Sequence, residues 1–349
     1  MKKILLAVAL LLSATMMNAQ PKNAQAAAEE VSKAVAAVQK AEQKASEKGK
    51  PVGPDVYIKE AKAYIDAYDY PTKNVVSGTT RQELQLFLKD QQILGTEQKK
   101  GGDGVNYTVD HYSDKDLWYN EQNVLSSYVI TKPALEGDIL GAATAAVNKA
   151  AAEDTGNKKA KDIAQLYENL HQRYTQDAFA NYTAEDFVKA AAGFEAALPT
   201  YSNPVVNKVD SMSTYYSGIF ESMAGNNEKA KGYYQKAIDL GYYSEGNAFS
   251  GLSNIYLSEG DTTKGTEILE QGFMKFPQSQ SILVGLINLY LNSKQSPDKL
   301  FNLLHSAEAN EPNNPSLYYV EGNVLKGLGK KDEAVESYHK ANAADAKYE

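Results

Sequence analysis

Cysteine is absent from all 349 residues. Its absence removes disulfide bridges, thiolate metal ligands, thiol nucleophiles and the acylated cysteine of a bacterial lipoprotein. Arginine is nearly absent: Arg81 and Arg173 are the only two, too few for a cluster of guanidinium forks that grips phosphate or carboxylate. His111, His171, His305 and His339 are scattered, with no pair at metal-ligand spacing. No glycine-rich phosphate loop follows a strand pattern, and no nucleophile elbow occurs. Asp103, Asp110, Asp114 and Asp116 lack the glycine and terminal glutamate of a calcium loop. The chain therefore nominates no catalytic residue, no metal ligands and no cofactor site, and is expected not to be an enzyme. A formal net charge of −8 argues against a nucleic-acid partner, because phosphate binding needs a basic surface.

Long apolar runs are missing too, except at the start. Met1-Lys2-Lys3 is followed by an apolar core from Ile4 to Leu12 and a small, polar exit to Gln20. That pattern predicts a secretory signal peptide over residues 1–19, cleaved after Ala19, with a core too short to span a bilayer. No later stretch predicts an integral membrane segment. The expected product is an exported, soluble protein, most simply periplasmic in a Gram-negative cell.

What is present is a repeat. Ala190, Ala230, Gly265, Leu300 and Ala334 form one series; Phe194, Tyr234, Leu269, Leu304 and Tyr338 a second; Ala197, Ala237, Gly272, Ala307 and Ala341 a third. Their spacing, 34 to 35 residues after a first step of 40, implies one supersecondary unit copied in tandem. The fullest copy reads Phe249, Leu252, Ser253, Tyr256, Gly260, Gly265, Leu269, Gly272 and Pro277; the last reads Tyr318, Gly322, Leu325, Gly329, Ala334, Tyr338 and Ala341. The pattern resembles the tetratricopeptide repeat, a helix-turn-helix unit of about 34 residues. The resemblance is strong over residues 209–345 and thins toward the N-terminus. It implies an all-α, right-handed helical solenoid, with small residues where helices A and B cross.

Ahead of the array (159–349), residues 20–70 read as two helices, the second (Pro54 to Tyr68) spaced like a helix A. Its matching helix B comes only at 133–158, around Ile139, Ala142, Ala143, Ala146, Val147 and Ala150. One repeat split by an insertion at 71–132 accounts for this. Inside the insertion, a short helix at Gln82–Leu88 and strands at Gln91–Gln98, Val105–Tyr112, Leu117–Tyr119 and Val124–Ile130 are predicted, joined by turn-like segments. Tyr201 to Val206 is expected as an extended linker, since Pro204 keeps the residue before it out of helical space.

In the resembled family helix A lines a concave groove, and its ninth position, here Asn254, Asn288 and Asn323, points into it. An amide column offers donors and acceptors to an extended peptide. Tyr216, Met223, Tyr319 and Lys326 join them by register as candidate groove residues. Trp118 and Tyr119 in the insertion form either an aromatic stacking surface or a miniature sheet core. Two functions follow: a periplasmic scaffold that binds a protein or extended peptide in the groove, or a glycan or peptidoglycan binder acting through the insertion. The C-terminal end, around Val335 and Ala344, is expected to be uncovered and to support weak self-association or partner docking.

Overall fold

The computed structural model describes residues 23–277, 279–292 and 298–345; the expected signal peptide lies outside them. Two compact units result, Met1–Ser213 and Thr214–Glu349. Among the described residues no helix is long and apolar enough to cross a membrane.

Unit 1 starts with α1 (Ala24–Lys48), whose first turn is capped by the Asn23 side chain on the Ala26 amide and whose last turn ends on left-handed Gly49. Pro54 opens α2 (Pro54–Asp69) at the position where its missing N–H costs nothing. Ala27 and Val31 of α1 pack on Ala67 of α2. The other side of α2, Tyr57, Ile58, Ala61 and Ile65, packs against Leu140, Ala143, Ala146, Val147 and Ala150 of α4 (Ile139–Glu153). Alanines on both helices allow this approach across a long gap in sequence.

The gap is filled by α3 (Arg81–Phe87) and a four-stranded antiparallel meander, β1 (Gly95–Lys100), β2 (Asn106–His111), β3 (Lys115–Tyr119) and β4 (Leu125–Ile130). β1 begins at Gly95, not Gln91, because Gln91 closes a turn on Leu88 and its side chain accepts a hydrogen bond from buried Lys115. Strand alternation gives the sheet two apolar faces. On one, Tyr112, Leu117, Tyr119 and Leu125 meet Leu84 of α3 and Leu88 just beyond it. On the other, Tyr107, Val109 and Trp118 pack with Ala184, at the end of α5 (Ala160–Thr183). Gly102 sits on α5 so closely that a Cβ there would stand 2.3 Å from the Tyr182 carbonyl.

Both arginines fix this arrangement. Arg81 grips the fully buried Asp110 carboxylate with Nε at 2.7 Å and Nη2 at 2.6 Å, tying α3 to β2. Arg173 of α5 forms a second two-pronged pair with Asp69 at the end of α2. Beside it the Tyr128 hydroxyl, hydrogen-bonded by Gln176, is pushed up to about 12 by burial.

Residues 160–183 form one 24-residue helix, because Ile163, Leu166, Tyr167, Leu170, Tyr174 and Ala178 sustain a helical apolar stripe with no breaker. One expectation for this unit needs correction. The helix α6 (Phe187–Ser202) runs through Pro199 and Tyr201, so the linker starts at Asn203, which is extended ahead of Pro204.

Unit 2 carries four successive helix pairs: α7 (Ser211–Met223, from just before the boundary) with α8 (Asn227–Asp239), α9 (Asn247–Ser258) with α10 (Thr262–Lys275), α11 (Gln280–Asn292) with α12 (Asp298–Asn310), and α13 (Pro315–Gly327) with α14 (Lys331–Asp345). Gly225, Gly260 and Gly329 make the turn within three pairs at φ of +83°, +87° and +79°, a region that other residues enter at a cost. Small residues sit where rings and leucines press on the neighbouring helix. A Cβ on Gly251 would come within 2.5 Å of the Tyr234 ring, one on Gly322 within 2.5 Å of Tyr338, and one on Gly265 within 2.6 Å of Leu257. At the last crossing the Ser253 hydroxyl donates to the Gly265 carbonyl at 2.7 Å. At the C-terminal end Val335 is exposed, but Ala344, expected to be bare, is buried.

Candidate binding cleft

Within unit 2, α11, α13 and α14 enclose a cleft of about 410 Å³, within the size range that holds a ligand or a few side chains. Leu283 and Val320 form its buried floor, whereas Val284 (56% exposed) and Tyr319 (58% exposed) stand open on either side. The start of α13 supplies Pro315 and Ser316, and α14 supplies Ala341, Asn342 and Asp345. The Asn314 side chain caps α13 by accepting from the Ser316 amide, and this fixes the rim.

Asn323 lines the same cleft, and its orientation is set from behind. The Tyr338 hydroxyl donates to Asn323 Oδ1 at 2.9 Å, which leaves the Asn323 NH₂ as the donor available to a guest. The Tyr338 ring in turn lies 5.7 Å from that of Tyr319 and against Gly322. Burial, then the neighbouring Tyr319, raises the Tyr338 phenol above its ordinary range, so it remains a donor at neutral pH.

Of the residues expected in the groove, Tyr319 and Asn323 are brought together here. Asn254, Asn288 and Lys326 are exposed but do not line the cleft, and Met223 is exposed on α7. Tyr216 is a correction: only 8% exposed, it stacks on Phe220 at 6.1 Å and touches Tyr215 at 5.6 Å. Trp118 and Tyr119, at 2% and 0% exposed, follow the sheet-core reading, and the stacking-surface reading is the second correction. Successive residues of β3 point to opposite faces, and both faces are covered, so neither ring presents a surface. Val284 and Asn342 carried no sequence signal, and Ala341 only that of a small residue in the repeat, because only the tertiary approach of α11, α13 and α14 places them together.

Unit 1 holds one constellation with the residue types of a hydrolytic triad. His171 Nδ1 lies 3.2 Å from Thr200 Oγ1, and Nε2 lies 3.3 Å from Asp210 Oδ2. Thr200 is 0% exposed and donates its hydroxyl to the Ala197 carbonyl, and the imidazole is stacked on Tyr201 at 3.6 Å. No substrate atom could approach that oxygen, and the group serves packing. Burial lowers the pKa of His171 while Asp210 pulls the other way, so the imidazole is held neutral. Among the described residues no cluster of three metal-ligating side chains occurs.

No family model matches the chain, and no curated protein matches it. Among solved structures it is similar to a crystal structure of MamA at 17% identity, covering 56% of this chain and 96% of that one with a TM-score of 0.28. Its similarity to the apo form of RapI is 12% identity over 60% of this chain and 78% of that one, TM-score 0.30. For a human IFIT1 dimer with PPP-AAAA, the values are 12% identity, 60% and 50% coverage, and a TM-score of 0.29. The chain thus spans half the length of that last protein, and at these scores none of the three bears on what it binds.

Proposed function

We propose that unit 2 is a tetratricopeptide-like solenoid and that the protein is a non-enzymatic scaffold of the cell envelope, binding an extended segment of a protein partner across its A helices. The observation that carries this reading is the cleft between Val284 and Tyr319. Two large apolar side chains stay more than half exposed beside an amide oriented by Tyr338. An apolar guest side chain would fill the gap between them, and a peptide carbonyl would accept from the Asn323 NH₂. Exposed Asn254 and Asn288 extend the same helix series. The basic, apolar and small-residue succession of residues 1–19 supports the envelope location. With Trp118 and Tyr119 buried, neither of those rings supports glycan binding through the insertion.

Panning a library of random short peptides against the full chain tests the reading. The expected result is a consensus with an apolar anchor, whose binding falls at least about tenfold, equivalent to about 1.4 kcal/mol, in Tyr319→Ala and Val284→Glu. Failure to enrich any consensus, or equal binding to both variants, would refute it.

A further inference from the structure

The sheet of unit 1 treats its two edges differently. Beyond β4, the Leu125 N–H donates to the Thr79 carbonyl and the Gly78 N–H to the Leu125 carbonyl, both at 2.9 Å, so the chain itself closes that edge. β1 is the other edge, and among the described residues no backbone group bonds to its outer side. The ladder decides which groups that side presents. The Gly101 N–H closes the first hairpin on the Val105 carbonyl, and the Tyr112 N–H closes the second on the Lys115 carbonyl, both at 2.8 Å. Antiparallel bonding alternates along the strands from such closing pairs, which turns Tyr107, Val109 and His111 of β2 toward Lys99, Glu97 and Gly95 of β1. The N–H and C=O groups of Thr96, Gln98 and Lys100 therefore point outward, a template for one more strand.

Side chains select the strand. Glu97 and Lys99 share one face of the sheet, the carboxylate 3.6 Å from His111 Nε2 and the ammonium 5.3 Å from the Trp118 ring centroid. Consider β1 laid antiparallel on β1 of a second copy, with outward groups meeting outward groups. Centred on Glu97, the pair opposes two carboxylates; centred on Lys99, it opposes two ammonium groups. Centred on Gln98, it bonds Thr96 of each copy to Lys100 of the other and sets each Glu97 opposite a Lys99. Edge charges commonly block pairing, and these two block the neighbouring registers while favouring the middle one. That register also sets Gly95 opposite Gly101 and carries Leu94, 63% exposed, to Gly102 of the other copy. There the half-buried Phe187 ring stands 3.2 Å from where a Cβ on Gly102 would be. An apolar contact thus closes each end of the pairing.

We propose that the protein forms a symmetric dimer in which β1 pairs with β1 of a second copy, centred on Gln98, joining the two sheets into one. Sedimentation velocity of the full chain over rising concentration tests the proposal. A monomer–dimer equilibrium is expected. Glu97→Lys and Lys99→Glu should each weaken it at least about tenfold. An equimolar mixture of those two variants should recover it, because every pair across the two copies is again opposite in sign. Gln98→Pro removes an N–H that faces outward, and should abolish the dimer at a melting midpoint close to that of the parent. Thermal melts confirm that each variant is folded. The proposal is overturned if the parent stays monomeric up to about 0.5 mM, or if the folded variants associate as the parent does. It is equally overturned if the mixture associates no better than either variant alone, which would place any contact elsewhere on the chain.

Discussion

Adding the same methyl group to two helical glycines of unit 2 should move stability in opposite directions. A Cβ on Gly272 of α10 would lie 2.8 Å from Phe249 Cβ, 2.9 Å from Phe249 Cγ and 2.8 Å from Ile282 Cδ1. Phe249 is 2% exposed and its Cβ is attached to the α9 backbone, so rotating a side chain cannot relieve that contact. The helices must part. Overpacking of this kind costs roughly 1–3 kcal/mol, against which alanine regains about 0.8–1.0 kcal/mol of helix propensity. The contact falls at the severe end, so Gly272→Ala should lose about 1–2 kcal/mol. Gly232 of α8 has nothing within 4 Å of the same added atom, so Gly232→Ala keeps the propensity gain and stabilises by about 1 kcal/mol. For a unit of this size each kcal/mol moves the midpoint by roughly 2–6 °C. Thermal melts followed by circular dichroism would show Gly232→Ala above and Gly272→Ala below the parent. If Gly272→Ala melts at or above the parent, the close crossing of α9, α10 and α11 is wrong.

Removing Arg81 strands the buried Asp110 carboxylate, so Arg81→Ala should cost about 3–5 kcal/mol, and Arg81→Met with Asp110→Leu should recover most of it; urea melts of the three chains decide. Tyr338→Phe frees the Asn323 amide to rotate, and should weaken a cleft-binding peptide severalfold at an unchanged melting midpoint, as a binding titration would show. Because the folded pKa of His171 lies below its unfolded value of about 6.5, the unfolded chain binds more protons below that pH. Stability should therefore fall as pH drops through about 6.5. The parent should lose stability relative to His171→Gln between pH 7 and 5 in paired urea melts; parallel curves would contradict the burial argument.

Much of the helical organisation could be read directly from local chemistry. Pro54 at a first turn, turn glycines at 260 and 329, and alanines or glycines every 34 to 35 residues each state a local requirement that the chain cannot meet otherwise. The meander strands were visible through alternation and turn residues. Alternation does not say what covers each face, however, and that decided Trp118 and Tyr119: α3 and the end of α5 close both sides of the sheet, turning a candidate surface into core. Tyr216 shows the same limit, since helical register gives a direction but not the neighbour that fills it. The cleft was half legible, through Tyr319 and Asn323. Its other half, Val284 on α11 and Asn342 on α14, comes from helices whose approach is set by packing over the whole unit.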